Sequence, residues 1–288
     1  MHNSVRLSDR AVVDLSGADV QHFLDRLLTC RVPEPGSGGA VFGALLTPQG
    51  KIQFDFFLIA DGARYLFDIP AGLAADFVKR MTFYRLRAAV DIVDRSDTLC
   101  VAAAWGGAAV DGAVVAYPDP RAPDMGTRAI LDIATDLPDD NESYETHRIA
   151  CAVPKGGVDF QYSDAFPHDA GFDQIAGVDF KKGCFVGQEV VSRMQHRGTA
   201  RRRPVAVIAD VPLTVGAEIT AGGPPVGTVT SADGARGLAI VRLDRAASGV
   251  EAGEALVAGD VPVRLARPDW AGYDWPEALG GASDRKAS

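Results

Sequence analysis

Apolar positions between residues 41 and 93 follow two different periods. Short apolar runs bounded by turn signals predict strands, and Thr47-Pro48-Gln49-Gly50 between the first two indicates a hairpin. After Pro70 the apolar positions recur with a period of 3.6, which predicts a helix. The predicted strands cover residues 41–46, 52–59, 64–69 and 88–93, and the helix carries Leu73, Phe77, Val78 and Met81. Strands and a helix in this order are typical of a ferredoxin-like α+β unit.

The remainder of the chain divides into regions with different patterns. Residues 98–160 carry further short strand patterns and a helical pattern over 140–151. After Pro204, six short strand patterns separated by Gly- and Pro-rich turns, with no helix between them, predict a small β-barrel. We therefore expect an α+β region over 1–203 with 41–95 as one subdomain, a barrel over 204–270, and a disordered tail over 271–288.

Composition and charge narrow the class of protein. Hydrophobic residues make up 47% of the 288 residues, as in an ordinary globular protein. The net charge of −9 argues against a surface that coats nucleic acid, so direct nucleic-acid binding is not expected. No apolar run reaches the roughly 18–20 residues of a membrane span, and the first residues lack the apolar core of a signal peptide. We therefore expect no direct membrane contact.

The spacing of the cysteines indicates the redox state of the compartment and whether a metal site is expected. The four cysteines are far apart, and neither they nor the histidines have the spacing of metal ligands. Widely separated cysteines are typical of free thiols in a reducing environment. The sequence therefore predicts a cytoplasmic protein without a metal site.

One cysteine lies between two glycines in the most distinctive stretch of the chain. The stretch reads Lys181-Lys182-Gly183-Cys184-Phe185-Val186-Gly187-Gln188-Glu189, and a helical pattern follows it. Cationic neighbours and a helix N-terminus both stabilise a thiolate, so this context is typical of a reactive cysteine. Glycines permit a sharp turn and the close approach of a ligand. The residues alone leave a second interpretation open, in which Cys184 is a small buried thiol and the lysines are solvated.

Other polar residues are candidates for ligand binding, each with an alternative. An acid-free window is either a solvated basic face or an anion site, and it contains Arg193, His196, Arg197, Arg201, Arg202 and Arg203. Asp55 lies in an otherwise apolar strand pattern, so it faces either solvent or a ligand cavity. His147 and Arg148 lie on one predicted helix and contact either an anion or only solvent.

The stretch from Lys182 to Glu189 resembles the signature of the YgfZ family. That motif reads K-G-C-aromatic-x-G-Q-E, and all its fixed positions are present, including Gly183, Phe185, Gly187 and Gln188. Supporting likenesses are Thr47-Pro48-Gln49-Gly50-Lys51, Asp119-Pro120-Arg121 and Tyr144 with His147-Arg148-Ile149-Ala150. The family consists of folate-binding proteins related to the glycine-cleavage T-protein and to mitochondrial iron–sulfur assembly factors. The resemblance covers roughly residues 5–270.

This resemblance implies a fold and a function. The implied fold is an α+β, T-protein-like clover of three domains, two of them intertwined ferredoxin-like units and the third a C-terminal β-barrel. The implied function is the assembly or repair of iron–sulfur enzymes, including those that methylthiolate transfer RNA, with tetrahydrofolate as bound cofactor. Partners would be folate and iron–sulfur client enzymes or assembly factors. Cys184 would be the reactive residue, and the expected folate-binding residues are Asp55, Arg148, Arg193, Arg197 and Arg201.

The sequence departs from the T-protein pattern at two acids. Asp55 stands where the T-protein has an Asp-Asp pair, and Ala150 stands where it has a glutamate that binds the pterin. Loss of a bidentate acceptor weakens the case for aminomethyl transfer. We therefore expect folate binding without efficient aminomethyl transfer. A folate-dependent one-carbon transferase is the alternative, and a noncatalytic scaffold with a basic docking segment is a third hypothesis.

Overall fold

The computed structural model describes residues 3–198 and 200–280. Within these residues the chain divides into two compact units. The first is formed by residues 3–145 and 175–190, and the second by 146–174, 191–198 and 200–280. Each unit therefore combines two or more separate segments of the chain.

A five-stranded antiparallel sheet forms the larger part of the first unit. Its strand order is β3-β4-β5-β2-β6. One face packs against two helices through an apolar core that includes Phe23, Phe56 and Phe77. The elements are β2 (Arg10–Ser16), α1 (Val20–Asp25), β3 (Ala40–Leu46), β4 (Ile52–Asp61), β5 (Arg64–Pro70), α2 (Ala74–Arg85) and β6 (Asp91–Asp94). Because side chains alternate along a strand, the opposite face of this sheet receives Asp55, Phe57 and Asp68.

A four-stranded antiparallel sheet completes the first unit, with strand order β1-β7-β9-β8. Its strands are β1 (Ser4–Arg6), β7 (Leu99–Ala104), β8 (Val115–Pro118) and β9 (Thr127–Asp132). Helix α3 (Asn141–Ala150) follows it in the sequence. Side chains of β8 and β9 contact Phe57 of β4 and Asp68 of β5.

The second unit contains a seven-stranded antiparallel sheet in the order β15-β14-β11-β12-β13-β10-β16. Its core includes Val205, Val229 and Val241, and helix α5 (Leu243–Glu251) packs on it through Ala246. The strands are β10 (Arg202–Ile208), β11 (Glu218–Ala221), β12 (Gly227–Asp233), β13 (Arg236–Arg242), β14 (Leu256–Ala258), β15 (Val261–Pro262) and β16 (Arg264–Ala266). Helix α4 (Gln188–Arg197) precedes β10.

Several predicted elements are confirmed and others are wrong. The hairpin of β3 and β4 and the helix α2 agree with the predicted pattern. The sequence analysis did not identify β1, β2 or α1, and α5 contradicts the expectation that no helix interrupts the C-terminal strands. The tail prediction is wrong over 271–280, because Ala271, Tyr273 and Leu279 are buried in the core of the second unit; residues 281–288 lie outside the described part. No helix in the described ranges is both long and apolar enough to span a bilayer.

Candidate functional site

A loop before helix α4 presents Cys184 to solvent. All four cysteines lie within the described ranges, and all are free thiols. Cys30 and Cys100 are buried, Cys151 is half-buried, and only Cys184 is exposed. The interpretation of Cys184 as a buried structural thiol is therefore wrong, and its predicted accessibility is confirmed.

Lys182 anchors one side of this loop. Its side chain is only 2% exposed, and its Nζ donates to the carbonyl oxygens of Leu28 at 2.9 Å and Cys30 at 2.6 Å. The same Nζ lies 3.2 Å from Asp25 Oδ1. A buried ammonium needs such partners, and here they come from the last residue of α1 and the segment that follows it. Lys182 thus fixes the loop to the first unit, and the expectation that it is a solvated neighbour of the thiol is wrong.

Gly187 anchors the other side of the loop by a close backbone approach. Its φ is +78°, and a Cβ there would lie 2.6 Å from the Thr47 carbonyl oxygen and 3.0 Å from Gly50 Cα. No side chain fits between these backbones, so the loop docks on the β3–β4 turn only because residue 187 is glycine. Phe185 is buried between the two anchors, with its ring centroid 6.0 Å from Lys182 Nζ.

Gly183, directly before the cysteine, has a different role. Its φ lies outside the left-handed region, and a Cβ there would have no neighbour within 4 Å. The conformation of the loop therefore does not require glycine at residue 183. Gln188 Nε2 donates to the Gly183 carbonyl oxygen at 3.4 Å, and Glu189 is exposed in the first turn of α4. The space beside Cys184 is thus open on the Gly183 side.

A buried ionic cluster lies between the two sheets of the first unit; we define it as Arg10, Asp68, Asp119, Arg121 and Arg128. Asp68 accepts from Arg10 Nε at 2.6 Å and from Arg128 Nη2 at 2.6 Å. Asp119 Oδ2 accepts from Arg121 Nη2 at 2.7 Å. Burial alone would raise the pKa of Asp68, but Arg10 and Arg128 outweigh burial and hold that pKa below its ordinary value. The cluster is therefore charged in the folded protein.

Aromatic side chains join the ion pairs of Asp68 to the ion pair of Asp119. The Tyr144 hydroxyl accepts from Arg121 Nη2 and from Arg128 Nη1, both at 2.9 Å. The Phe57 ring centroid lies 4.2 Å from Arg128 Cζ and 4.8 Å from Arg121 Cζ, within the range of cation–π attraction. These contacts explain why three guanidinium groups tolerate burial here.

Asp55 belongs to the same charged region. It is buried, so the interpretation of Asp55 as a solvent-facing residue is wrong. Burial alone would lower the pKa of Arg10, whereas the charges of Asp68 and, to a smaller extent, Asp55 raise it. The sequence analysis missed Arg10 and Asp68, although Asp68 shows the same signal as Asp55, an acid within an apolar strand.

Arg148, an expected folate residue, has internal partners in the second unit. Its Nη1 donates to Asp159 Oδ2 at 2.7 Å and to the Val153 carbonyl oxygen at 2.7 Å. Its Nη2 donates to Ser231 Oγ at 2.9 Å, and the side chain is 1% exposed. These contacts tie α3 to the sheet of the second unit. The surroundings of Arg148 therefore do not support its predicted contact with folate, and they give it a structural role instead.

The arginines of the acid-free window differ in their exposure. Arg193, Arg197 and Arg201 are exposed. Arg203 is half-buried, because its Nη1 donates to Asp173 Oδ1 at 2.8 Å and to the His168 carbonyl oxygen at 3.0 Å. Thr199, inside the window, lies outside the described residues. Arg193 and Arg197 are four residues apart on α4, so they share one helix face.

We expect Cys184 to be alkylated faster than the other three cysteines at neutral pH. The thiolate is the reactive form, and burial raises the pKa of Cys30 to about 12 and also raises the pKa of Cys100. Cys151 is the nearest competitor, since it is half-buried with its Sγ 3.8 Å from His147 Nε2. Peptide mass spectrometry after timed iodoacetamide treatment measures all four rates. Equal rates for Cys184 and Cys30 would contradict the loop geometry.

In sequence, the chain is similar to proteins named as iron–sulfur cluster assembly factors. Residues 201–273 match the family described as CAF17, C-terminal beta-barrel domain. The chain is 31% identical to a protein of Mycosarcoma maydis named iron-sulfur cluster assembly factor IBA57 homolog, mitochondrial, over 69% of this chain and 55% of that protein. It is 27% identical to the Homo sapiens iron-sulfur cluster assembly factor IBA57, mitochondrial, over 94% and 85%. The chain spans about half the length of the first curated relatives it matches.

A solved structure shows the fold. The glycine cleavage system aminomethyltransferase T from Bartonella henselae matches 91% of this chain and 83% of its own, with a TM-score of 0.67 and 15% identity. The predicted α+β, T-protein-like fold with a C-terminal barrel is confirmed. The expected cytoplasmic location is contradicted, because the curated relatives from Mycosarcoma maydis, Chaetomium globosum and Homo sapiens are all named as mitochondrial. Membership in the YgfZ family itself stays a prediction.

Proposed function

We propose that this chain serves in the assembly or repair of iron–sulfur proteins, including enzymes that methylthiolate transfer RNA, with Cys184 as its reactive group. The observation that carries the proposal is the exposure of Cys184 on a loop fixed on both sides by buried contacts. The curated relatives named as iron–sulfur assembly factors support the same class of function. Its partners would be client enzymes or assembly factors that carry the cluster.

The two anchors hold the thiol in a position that a partner protein can reach. Lys182 and Gly187 hold the loop against the first unit, so Cys184 keeps one position without being covered. The open space at Gly183 leaves room for a partner backbone beside the thiol. Presenting a pre-positioned group lowers the entropic cost of forming such a complex.

A cluster handled at Cys184 would be cargo shared with another protein. Iron–sulfur clusters are held by several thiolates, and Cys184 supplies one. Within residues 3–198 and 200–280, no three His, Cys, Asp or Glu side chains meet at metal-binding distance. The remaining ligands would therefore come from the client or the assembly factor. Thiol–disulfide exchange, in which the Cys184 thiolate attacks a partner disulfide and releases one of its two sulfurs as a thiol, is the other chemistry open to an exposed cysteine.

Removing the gene from its host tests the function. We expect the activities of several iron–sulfur enzymes and the methylthiolation of transfer RNA to fall together. Enzymes without iron–sulfur clusters serve as the control and should keep their activity. Unchanged activity of every iron–sulfur enzyme would contradict the proposal.

Tetrahydrofolate is the second part of the proposal, and the chain offers a partial fit for it. Asp55 supplies a buried carboxylate that can accept from the N–H groups of a pterin, while Ala150 supplies no acceptor where the T-protein has its glutamate. When bound, folate would supply one-carbon chemistry. The protein residues would only orient it, with Asp55 accepting pterin hydrogen bonds.

We expect tetrahydrofolate to bind without efficient aminomethyl transfer. Titration calorimetry measures the binding, and a glycine-cleavage assay measures the transfer. Asp55→Asn should weaken binding by about tenfold, since a hydrogen bond to a charged acceptor contributes roughly 1.5–3 kcal/mol. The matched control is Asp61→Asn, a half-exposed acid on the same strand. No binding heat at millimolar folate would contradict the first half, and robust methylene-tetrahydrofolate formation would contradict the second.

The exposed arginines predict a preference for folate with a polyglutamate tail. Guanidinium groups pair with carboxylates, and Arg193 and Arg197 share one exposed face of α4. We expect polyglutamylated folate to bind more tightly than the monoglutamate, with an advantage that shrinks as salt rises. Arg197→Glu with Arg201→Glu should remove the advantage and leave monoglutamate affinity unchanged. Equal affinity for both forms at low salt would contradict this role. The arginines would then either dock a partner or be only solvated.

A further inference from the structure

The end of helix α2 carries the most exposed large apolar side chains among the described residues. Phe83 is 69% exposed and Leu86 is 86% exposed. Lys79 and Phe83 are four residues apart on α2 and share one helix face, and Leu86 follows directly after the helix ends at Arg85. We call residues 79–87 the α2 tip. Isolated apolar residues on a surface need no explanation, but two large ones within four residues at a helix end indicate a contact surface.

The backbone holds Leu86 outward in an unfavourable conformation. Its φ is +47° and its ψ is −104°, a region that a leucine rarely adopts. The turn after it is fixed by hydrogen bonds from Ala88 N to the Arg85 carbonyl oxygen at 2.8 Å and from Arg85 Nη1 to the Val90 carbonyl oxygen at 3.2 Å. Such strain persists only where the surrounding structure imposes it, and it is common at functional positions.

Basic residues flank these apolar side chains along the chain, and one acid from another element, Asp19, accepts from Ala89 N at 2.8 Å. The α2 tip carries Lys79, Arg80, Arg85 and Arg87, and no acid occurs from residue 77 to residue 90. Lys79 and Arg87 are exposed. This is a local exception in a protein whose net charge is −9. The occupant of this surface must therefore combine negative charge with an apolar layer.

We propose that the α2 tip docks on an anionic phospholipid surface. A stable protein interface buries about 800 Å² on each partner, which two side chains on a convex tip do not supply. At a bilayer surface, by contrast, a few apolar side chains enter the headgroup boundary while each nearby cation attracts anionic lipid. This mode of binding needs no membrane-spanning segment. The expectation of no membrane contact rested on the short length of the apolar runs, and that argument does not apply to binding at the membrane surface.

Another exposed apolar pair of the chain provides a matched control. Val211 and Val215 are 50% and 59% exposed in the second unit. The segment 209–218 around them contains Asp210 and Glu218 and no lysine or arginine. Both places therefore expose a pair of apolar side chains, the pair at the α2 tip being larger and more exposed, and only the α2 tip adds positive charge.

Vesicle co-sedimentation with the full chain tests the proposal. At low salt we expect the protein to sediment with vesicles of phosphatidylcholine and 30% phosphatidylglycerol, and not with pure phosphatidylcholine. Phe83→Ser with Leu86→Asn should reduce partitioning by about tenfold or more, since both apolar groups are lost. Lys79→Gln with Arg87→Gln should reduce it by about thirtyfold, because each cation contributes about 1 kcal/mol. Val211→Ser with Val215→Ser should leave it unchanged.

Two results would overturn the proposal. One is the absence of sedimentation with anionic vesicles at low salt, which would leave the tip as a surface for an acidic protein. The other is sedimentation that the α2-tip variants do not reduce. Circular dichroism of each variant confirms folding.

Discussion

Replacing Asp68 by asparagine is expected to lower the free energy of unfolding by about 3–5 kcal/mol. Asp68 is fully buried and is the shared partner of Arg10 and Arg128. An amide of the same size would leave two buried guanidinium groups without a compensating charge. Urea unfolding followed by far-UV circular dichroism measures the loss.

A surface ion pair gives the control for this prediction. Asp244 accepts from Arg242 at 2.8 Å and is 47% exposed, so Asp244→Asn should cost less than about 1 kcal/mol. Because the pKa of Asp68 is held below its ordinary value, its contribution is present above the unfolded pKa of about 4 and is lost as pH falls through the folded pKa. The difference between wild type and Asp68→Asn should therefore shrink only in acid. Equal costs for Asp68→Asn and Asp244→Asn would contradict the buried cluster.

Arg148→Met is expected to destabilise the protein by about 3 kcal/mol while leaving folate affinity unchanged at temperatures where the variant is folded. The substitution leaves Asp159 buried without its cation, although Thr230 Oγ1, Ser231 Oγ and Lys155 N still donate to it. These remaining donors place the cost at the lower end of the range for a broken buried pair. Thermal unfolding and folate calorimetry on the same sample separate stability from binding.

The control for Arg148→Met is Arg202→Met, at an exposed position of the same unit. It should change the free energy of unfolding by less than about 0.5 kcal/mol. A variant at Arg148 that is as stable as wild type but no longer binds folate would restore the sequence-based expectation. It would also contradict the structural role that the contacts of Arg148 indicate.

The local pattern of the chain was sufficient to predict elements whose apolar period is regular. The β3–β4 hairpin follows from short apolar runs on both sides of a Pro-Gln-Gly turn, and α2 follows from a period of 3.6. Helix α5 was missed because it begins at Leu243, directly after β13, with no Gly or Pro to mark the change. The buried side chains within 271–280 were missed because exposed or half-buried residues separate the three that reach the core.

In the candidate site, too, the sequence predicted local features but not contacts between distant residues. The sequence identified Cys184 because its motif is local. The partners of Lys182 were not predictable, since the carbonyl groups that it binds belong to residues more than 150 positions earlier. The roles of the two glycines also depend on distant contacts, because only the β3–β4 turn makes residue 187 intolerant of a side chain. Pairing between Asp68 and Arg128, 60 residues apart, is likewise set by the packing of two sheets.

The most direct test of the central claim compares three variants in a host that lacks the gene. Cys184→Ala should fold normally and fail to restore iron–sulfur enzyme activity, because it removes only an exposed thiol. Cys151→Ala, which removes a half-buried thiol, should restore activity as wild type does. Gly183→Ala should be as stable as wild type and yet restore less activity, since its methyl group occupies the open space beside the thiol. Full restoration by Cys184→Ala would contradict the assignment of this cysteine as the reactive group.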